Sequence, residues 1–279
     1  MTAKELFTSG LQALESVENP DARFECDCLF EAATGISKSR RLADPAQSVS
    51  EGGQARFQSL LERRTAGEPL QYILGKWQFF GRDFFVGEGV LIPRPETEQL
   101  VETANKIIRK NHYRTVLDLC AGSGCIGLSV ALENPDTKVY LIEKFDAALY
   151  YLKKNAELLG ARNVEIVQAD ILTYTPENGF CADMLLSNPP YIPSAEIPVL
   201  QAEVQKEPYT ALDGGADGLL FYRAIAERWL PCVEPNGTML FECGDGQGAA
   251  IASIFHKKTA AQHVLYDFND IDRFVQIKV

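Results

Sequence analysis

Apolar residues recur at helical spacing through the first 75 residues. Pro20 is expected to open the second of four helices with Asn19 as its N-cap, and the fourth is expected to begin near Ser50. The groups at this spacing are Phe7, Leu11 and Leu14; Ala22, Cys26, Leu29, Phe30 and Ala33; a turn at 38–42; and Phe57, Leu60 and Leu61. The pattern predicts a small helical bundle.

The pattern changes at residue 76. Residues 76–93 are rich in aromatic and β-branched residues with glycine at turn positions, which is typical of a β-hairpin. Helical spacing resumes at Pro95, with Leu100, Val101 and Ala104 on one face. We therefore expect a linking hairpin between two unequal domains.

From residue 115 onward, short apolar runs alternate with helical stretches. The runs are Val116–Leu119, Val139–Ile142, Val164–Val167, Met184–Ser187 and Thr238–Phe241. Alternation of this kind predicts βαβ units and a parallel sheet. The last two runs, His263–Phe268 and Arg273–Val279, are separated by only four residues. That separation is too short for a helical crossover, so they are expected to form an antiparallel hairpin.

The composition is that of a globular protein with an acidic surface. Apolar residues make up 46% and charged residues 23%, which excludes wholesale disorder and collagen-like or coiled-coil rods. The formal net charge of −11 disfavours a protein that grips nucleic acid directly, because such proteins neutralise phosphates with Lys and Arg. We find no signal-peptide pattern and no apolar run long enough for a membrane span, so a cytoplasmic location is expected.

Seven cysteines are scattered along the chain without a C-x-x-C pair, and the three histidines lack zinc-finger spacing. The sequence therefore predicts reduced thiols and no metal site.

A glycine-rich turn follows the run Val116–Leu119. Gly122, Gly124 and Gly127 satisfy G-x-G-x-x-G, which alone would suggest a dinucleotide site. Asp118 argues against a pyrophosphate there, because its carboxylate would repel phosphate and would favour a ligand with a positive amine or sulfonium. The candidate binding residues of this turn are Asp118, Cys120, Ala121, Gly122, Ser123 and Gly124.

Acidic residues close the next two predicted strands. Glu143 lies where a carboxylate can accept hydrogen bonds from ribose hydroxyls. Asp170 could accept from an adenine amino group, and Ile171 could pack on the ring. Because ligands of open α/β sheets bind at the carboxyl ends of the strands, these residues predict a site for an adenosine with a charged tail.

The segment Asn188-Pro189-Pro190-Tyr191 follows the fourth predicted strand. Two prolines fix the backbone and remove two donors, so the Pro189 carbonyl is held rigidly. With the Asn188 side-chain oxygen and the flat ring of Tyr191, it suits an NH₂ group attached to a planar π system. We predict these four residues to be catalytic, and Asn188 to contact the cofactor as well.

These motifs together resemble the HemK/PrmC family of protein-(glutamine-N5) methyltransferases, and the resemblance spans the whole chain. It includes residues 91–98, which read LIPRPETE, and residues 207–218, which read EPYTALDGGADG. One departure is clear, because the family usually has glycine where this chain has Cys120. Contacts of Cys120 and Ala121 are therefore less firmly expected than those of Gly122 and Gly124.

The resemblance implies an α/β fold of the class I S-adenosylmethionine-dependent type. This fold is a Rossmann-like, mostly parallel seven-stranded sheet with a terminal antiparallel hairpin. It implies a release-factor-binding domain at 1–75, a linker at 76–93 and a catalytic domain at 94–279. The implied reaction takes a methyl group from S-adenosylmethionine, leaving S-adenosylhomocysteine, to the glutamine of the Gly-Gly-Gln motif in class I peptide-chain release factors. A monomer would suffice.

Three other functions stay open on the residues alone. They are amino-methylation of adenine in DNA or of RNA, non-catalytic binding of S-adenosylmethionine, and nicotinamide-dependent oxidoreduction. The roles of Glu96, Glu98, Glu207 and Asp217 are undetermined, although they could hold the linker and the rim of the site. The chain's own Gly52-Gly53-Gln54, expected between helices, is not predicted to be a substrate.

Overall fold

The computed structural model of the protein describes residues 1–174, 176 and 179–279. The chain forms two compact units, one of residues 1–76 with 202–206 and one of residues 77–201 with 207–279. None of the helices within these described ranges combines the length and apolar character that a membrane span needs.

The first unit is helical, as predicted. Its helices are α1 (Ala3–Glu15), α2 (Ala22–Thr34), α3 (Lys38–Ala43), α4 (Glu51–Thr65) and α5 (Leu70–Leu74). Phe7, Phe30 and Phe57 are buried in its core and meet edge to face, whereas Leu11 and Leu60 are only half-buried. The aromatic residues of the predicted stripes therefore hold α1, α2 and α4 together.

The start of α2 differs from the prediction. The helix begins at Ala22 after Asp21, and Pro20 lies in the preceding turn. The Asn19 side chain accepts a hydrogen bond from the Asp21 N–H at 2.9 Å. Asn19 therefore stabilises the turn at residues 19–21 that precedes the helix, and it does not cap the helix.

The Gly52-Gly53-Gln54 tripeptide also lies elsewhere than expected, in the first turn of α4. The Ser50 hydroxyl caps this helix by accepting from the Gly53 N–H at 3.1 Å. The Gln54 side-chain amide donates to the Val49 carbonyl at 2.7 Å. Its nitrogen is thus engaged within its own helix terminus.

The second unit is built on the predicted sheet. A hairpin of β1 (Lys76–Phe79) and β2 (Arg82–Phe85) precedes it. The elements that follow are α6 (Thr97–Asn111), β3 (Thr115–Leu119), α7 (Cys125–Glu133), β4 (Lys138–Glu143), α8 (Asp146–Leu159), β5 (Val164–Gln168), β6 (Ala182–Ser187), α9 (Tyr209–Leu212), α10 (Leu220–Ala224), β7 (Val233–Glu242), α11 (Gly248–Phe255), β8 (Ala261–Tyr266) and β9 (Asp272–Lys278).

The strand order in the sheet is β5-β4-β3-β6-β7-β9-β8. Strands β3 to β7 pair in parallel, and β9 pairs antiparallel with both β7 and β8. The predicted fold and its terminal hairpin are confirmed. The order reverses direction between β3 and β6, and such a switch point leaves a crevice at the carboxyl ends of the strands.

Both faces of the sheet are covered, which explains the continuous apolar runs of its strands. One face packs against α6, α7 and α8 through residues such as Leu100, Leu128 and Leu149. The other packs against the α10 region and α11 through Tyr222, Trp229 and Phe255. The site therefore rests on a sheet that is buried on both sides.

Candidate active site

A cavity of about 270 Å³ opens at the carboxyl edge of the sheet, at the switch point. Its wall includes strand-end residues that follow β3, β4, β5 and β6. Two further segments line it, residues 89–94 with Thr97 and residues 208–211 with Asp213. Every lining residue belongs to the α/β unit.

The turn after β3 supplies one wall. Cys120, Ala121, Gly122 and Ser123 all line the cavity, as predicted from the sequence. Gly124 does not, because it faces the helices: a Cβ there would lie 2.3 Å from Leu152 Cδ1. Gly124 is therefore required for the packing of α7.

Cys120 adopts a left-handed backbone conformation with φ of 59°. This conformation disfavours any residue with a Cβ, and it accounts for the glycine that the family usually has there. Burial raises the pKa of the Cys120 thiol well above its ordinary value, so the side chain stays a neutral thiol.

Asp118 lies behind this turn and does not line the cavity. Its side chain is fully buried, and Oδ2 accepts from the Gly127 N–H at 2.8 Å. A Cβ on Gly127 would lie 2.7 Å from that same oxygen, so glycine permits the contact. Burial raises the pKa of Asp118 to about 7. The structure therefore places Asp118 as a link between β3 and α7, not as the expected partner of a positive ligand group.

Glu143 ends β4 and lines the cavity. Oε2 accepts from the Gly122 N–H at 2.8 Å, and Oε1 accepts from the backbone N–H groups of Lys144 at 2.7 Å and Phe145 at 2.9 Å. A carboxylate offers about four acceptor positions, so three backbone donors orient it and leave capacity for a ligand hydroxyl. The predicted ribose acceptor is thus rigidly held.

Asp170 and Ile171 follow β5 and also line the cavity. Burial raises the pKa of Asp170, but the hydrogen bond from the Leu172 N–H and the Lys144 ammonium, 3.0 Å away, outweigh it, and the net shift is downward. Asp170 is therefore ionised at neutral pH and able to accept from an amino group. Ile171 is buried, and its carbonyl accepts from the Trp229 indole at 2.9 Å.

Asn188 and Pro190 bring the fourth strand end into the same wall. The Ser187 hydroxyl donates to the Leu119 carbonyl at 2.7 Å, which ties the end of β6 to the end of β3. Pro189, between the two lining residues, and Tyr191 are not among the residues that form the wall. Burial raises the pKa of Tyr191 well above its ordinary value, so it is a neutral phenol.

The glycine-rich segment 213–218 holds the backbone at Tyr191. A Cβ on Gly218 would lie 2.3 Å from the Tyr191 carbonyl oxygen. That oxygen instead accepts from the Gln247 side-chain amide at 2.8 Å. The glycines of the motif thus permit close approach to the chain that follows Pro190.

The four acidic residues of undetermined role separate in the structure. Glu207 is buried, accepts from the Ile92 N–H at 2.9 Å and pairs with Arg94. Glu98 accepts from the Phe80 N–H at 2.8 Å, and Asp217 pairs with Arg223 at the surface. Glu96 is exposed at the start of α6. Only Glu207 joins two segments of the cavity wall.

Sequence reasoning missed one pair at this site. Thr97 lines the cavity, and its hydroxyl donates to Glu242 Oε2 at 2.6 Å. Glu242 ends β7 and is 2% exposed. A lone glutamate closing an apolar run, as Glu143 does, was the available signal.

The donor and acceptor set fits S-adenosylmethionine. Apolar walls at Ile142 and Ile171 suit an adenine ring, Asp170 suits its amino group, and Glu143 suits the hydroxyls of the attached ribose. Across the described residues, no group of three His, Cys, Asp or Glu side chains is arranged to hold a metal ion.

Comparison with known families matches both units. Residues 5–75 match the model of the PrmC N-terminal domain, and residues 96–213 match the methyltransferase small domain. Among solved structures, the hMettl16 catalytic domain in complex with a MAT2A 3'UTR hairpin has a TM-score of 0.58 at 15% identity, covering 83% of this chain and 84% of that one. The T. thermophilus 16S rRNA methyltransferase RsmC in complex with AdoMet and guanosine has a TM-score of 0.50 at 17% identity, covering 73% and 49%. These two likenesses establish the methyltransferase fold alone.

Curated relatives agree over nearly the whole chain. The release factor glutamine methyltransferase of Geobacter sulfurreducens is 38% identical over 96% of this chain and 93% of its own. That of Moorella thermoacetica is 36% identical over 98% and 97%, and that of Bacillus subtilis is 38% identical over 87% and 86%. The chain belongs to the family of release factor glutamine methyltransferases.

Proposed function

We propose that this protein transfers the methyl group of S-adenosylmethionine to the side-chain amide nitrogen of the glutamine in the Gly-Gly-Gln motif of class I peptide-chain release factors. One observation carries the proposal. A single cavity brings the acceptors Glu143 and Asp170 together with Asn188 and Pro190 of the predicted amide-binding segment.

Glu143, Asp170 and Ile171 hold the adenosine part of the cofactor in this proposal, and residues 120–123 hold its tail. The cofactor, when bound, supplies an electrophilic methyl carbon. The prearranged hydrogen bonds of Glu143 lower the ordering cost of binding, because its carboxylate is already aimed.

The amide nitrogen is held by acceptors. Asn188 Oδ1 and the Pro189 carbonyl each accept a hydrogen bond from one of its two N–H groups, and the neutral ring of Tyr191 stacks on the amide plane. Pro189 and Tyr191 are the chain neighbours of the lining residues Asn188 and Pro190, so they would act from positions next to the cavity wall. An amide is a poor nucleophile because its lone pair is delocalised. The site therefore works mainly by aligning nitrogen, methyl carbon and sulfur, and its acceptors favour the positive charge that develops on nitrogen.

We propose residues 1–75 as the release-factor-binding domain, residues 76–93 as the linker and residues 94–279 as the catalytic domain. The helical unit supports the first assignment because it exposes large apolar side chains, among them Phe24 at 54% and Leu42 at 64%. Phe24→Ser should raise the KM for release factor without changing cofactor affinity.

The decisive experiment incubates the full chain with methyl-labelled S-adenosylmethionine and, separately, release factor, DNA and RNA. Label on the Gly-Gly-Gln glutamine, located by mass spectrometry, supports the proposal. A release factor with that glutamine replaced by glutamate is the matched control and should take no label. Label on nucleic acid alone would refute the proposal.

A further inference from the structure

A buried hydroxyl and a buried carboxyl meet at the cavity wall. Thr97, the first residue of α6, lines the cavity, and Glu242, at the end of β7, is not itself a lining residue. Both residues are 2% exposed, and the hydroxyl donates to Glu242 Oε2 at 2.6 Å. Among the described residues, the Glu242 carboxyl accepts a side-chain hydrogen bond from Thr97 alone. The Thr97 side chain therefore connects the Glu242 carboxyl to the cavity wall.

Other charged and titratable groups surround Glu242 from several elements. Arg273 of β9 and Arg94 favour its ionised form, and Glu96 opposes it. Tyr191, Tyr222, Cys125 and Cys243 also interact with it. The Tyr222 hydroxyl donates to the Glu242 backbone carbonyl at 2.7 Å, which fixes the strand end. The surroundings can thus hold either protonation state of Glu242 in place.

Methylation of an amide requires a proton to leave. When the nitrogen attacks the methyl carbon, it gains a bond and a positive charge, and one N–H bond must then break to restore a neutral amide. Asn188 Oδ1 and the Pro189 carbonyl are weak bases that can accept hydrogen bonds but cannot keep a proton at neutral pH. The reaction needs another acceptor that the cavity reaches.

We propose that Thr97 and Glu242 form the relay that receives this proton, a role that rests on the proposed methylation of an amide. Once the new C–N bond has formed, one N–H leaves its carbonyl acceptor and turns toward Thr97 Oγ1. That N–H bond breaks with its electron pair remaining on nitrogen, and its proton goes to Thr97 Oγ1. The proton already on Thr97 Oγ1 passes to Glu242 Oε2. Solvent takes that proton from Glu242 after the product leaves. Thr97 is the catalytic residue here, and Glu242 acts through it.

The acidity of Glu242 suits this role. Burial raises its pKa to about 7, against the opposing effects of the Thr97 hydrogen bond and Arg273. A proton acceptor works best when its pKa lies near the operating pH. An ordinary surface glutamate would hold the transferred proton too weakly.

The test measures single-turnover methylation of release factor from pH 5.5 to 9 in the full chain. Wild-type rates should fall about tenfold per pH unit below about pH 7, and this decline is the acid limb of the pH profile. Thr97→Val and Glu242→Gln should each lose this limb and lower the rate at pH 8 by about 100-fold. Thr97→Ser should keep the limb. The double variant should be no slower than either single variant, because both residues serve one step.

Glu234→Gln is the matched control, since Glu234 lies on the same strand but is exposed. It should keep both the rate and the limb. An unchanged limb in Thr97→Val overturns the relay, and this variant decides the matter if Glu242→Gln fails to fold. A wild-type protein that leaves release factor unlabelled instead refutes the proposed function, so the two failures are distinguishable.

Discussion

Glu207 Oε2 accepts a hydrogen bond from the backbone N–H of Ile92 at 2.9 Å, across 115 positions of sequence. Its other oxygen pairs with Arg94. Since residues 89–94 and 208–211 both line the cavity, this one buried carboxylate joins two parts of its wall. The PRPETE and EPYTALDGGADG segments are thus two halves of one local structure.

Glu207→Ala should destabilise the α/β unit by about 2 kcal/mol. The substitution leaves the buried Ile92 N–H without its acceptor and removes the partner of Arg94. Urea unfolding followed by fluorescence measures the change. Asp217→Asn breaks the exposed pair with Arg223 and is the control, which should leave the unfolding free energy nearly unchanged. Equal effects of the two variants would contradict the role assigned to Glu207.

Cys120→Gly should be more stable than Cys120→Ala by about 1 kcal/mol. Both variants remove the thiol, but only glycine relieves the left-handed backbone conformation at φ 59°. Thermal unfolding of the two variants side by side isolates the backbone effect. An alanine variant as stable as the glycine variant would mean that the backbone there relaxes at little cost.

Asn188→Ala should lower turnover by about 100-fold while changing the Kd for S-adenosylmethionine far less. The reason is that its side-chain oxygen is proposed to act on the amide in the transition state. Single-turnover rates and calorimetric cofactor titration measure the two effects separately. Asp170→Asn provides the opposite case, with cofactor affinity lost more than turnover at saturation. Equal losses of turnover and cofactor affinity in Asn188→Ala would contradict a role of Asn188 in the transition state.

Asp118→Asn should remove a pH dependence of stability. The pKa of Asp118 is raised from 3.8 to about 7 in the folded protein. The native state therefore holds a proton that the unfolded state has already lost, so wild-type stability falls as pH rises through this window. Relative to the asparagine variant, wild type should lose up to about 4 kcal/mol between pH 4 and 7. Urea unfolding at intervals of pH checks this, and parallel curves for the two proteins would contradict it.

Association with release factor should slow as salt is added. The chain carries a net charge of −11, and a partner that functions in contact with ribosomal RNA is expected to have a basic surface. Opposite charges accelerate encounter, and ions screen them beyond about 10 Å at 0.1 M salt. Stopped-flow association rates over a salt series measure the effect. Salt-independent rates would show that the acidic surface has no steering role.

Much of the local structure follows from neighbouring residues. The strand runs, the turn at 120–124 and the terminal hairpin are encoded in spacing, glycine and proline, and each was predicted. Two local predictions were wrong for a physical reason that is also local. Asn19 accepts from the Asp21 N–H in its own turn instead of capping α2. Ser50 caps α4 by accepting from the Gly53 N–H, so Gly53 belongs to the first turn of that helix.

The side-chain assignments divide in another way. Glu143, Asp170 and Asn188 line the cavity as predicted, because each closes a parallel strand and such ends meet at one edge of the sheet. Asp118 also lies near a strand end, but its side chain points to α7. Which way a strand-end side chain faces depends on the helix that packs against it.

The sequence alone determined the order of elements, the strand ends that form the site and the acceptor-rich Asn188–Pro190 segment, since these depend on periodicity and short motifs. The tertiary structure decided which distant groups meet. Thr97 and Glu242 are 145 positions apart, and Glu207 and Ile92 are 115 apart. Their burial and hydrogen bonds arise only when the sheet brings the segments together, because desolvation and pairing depend on packing that no local pattern records.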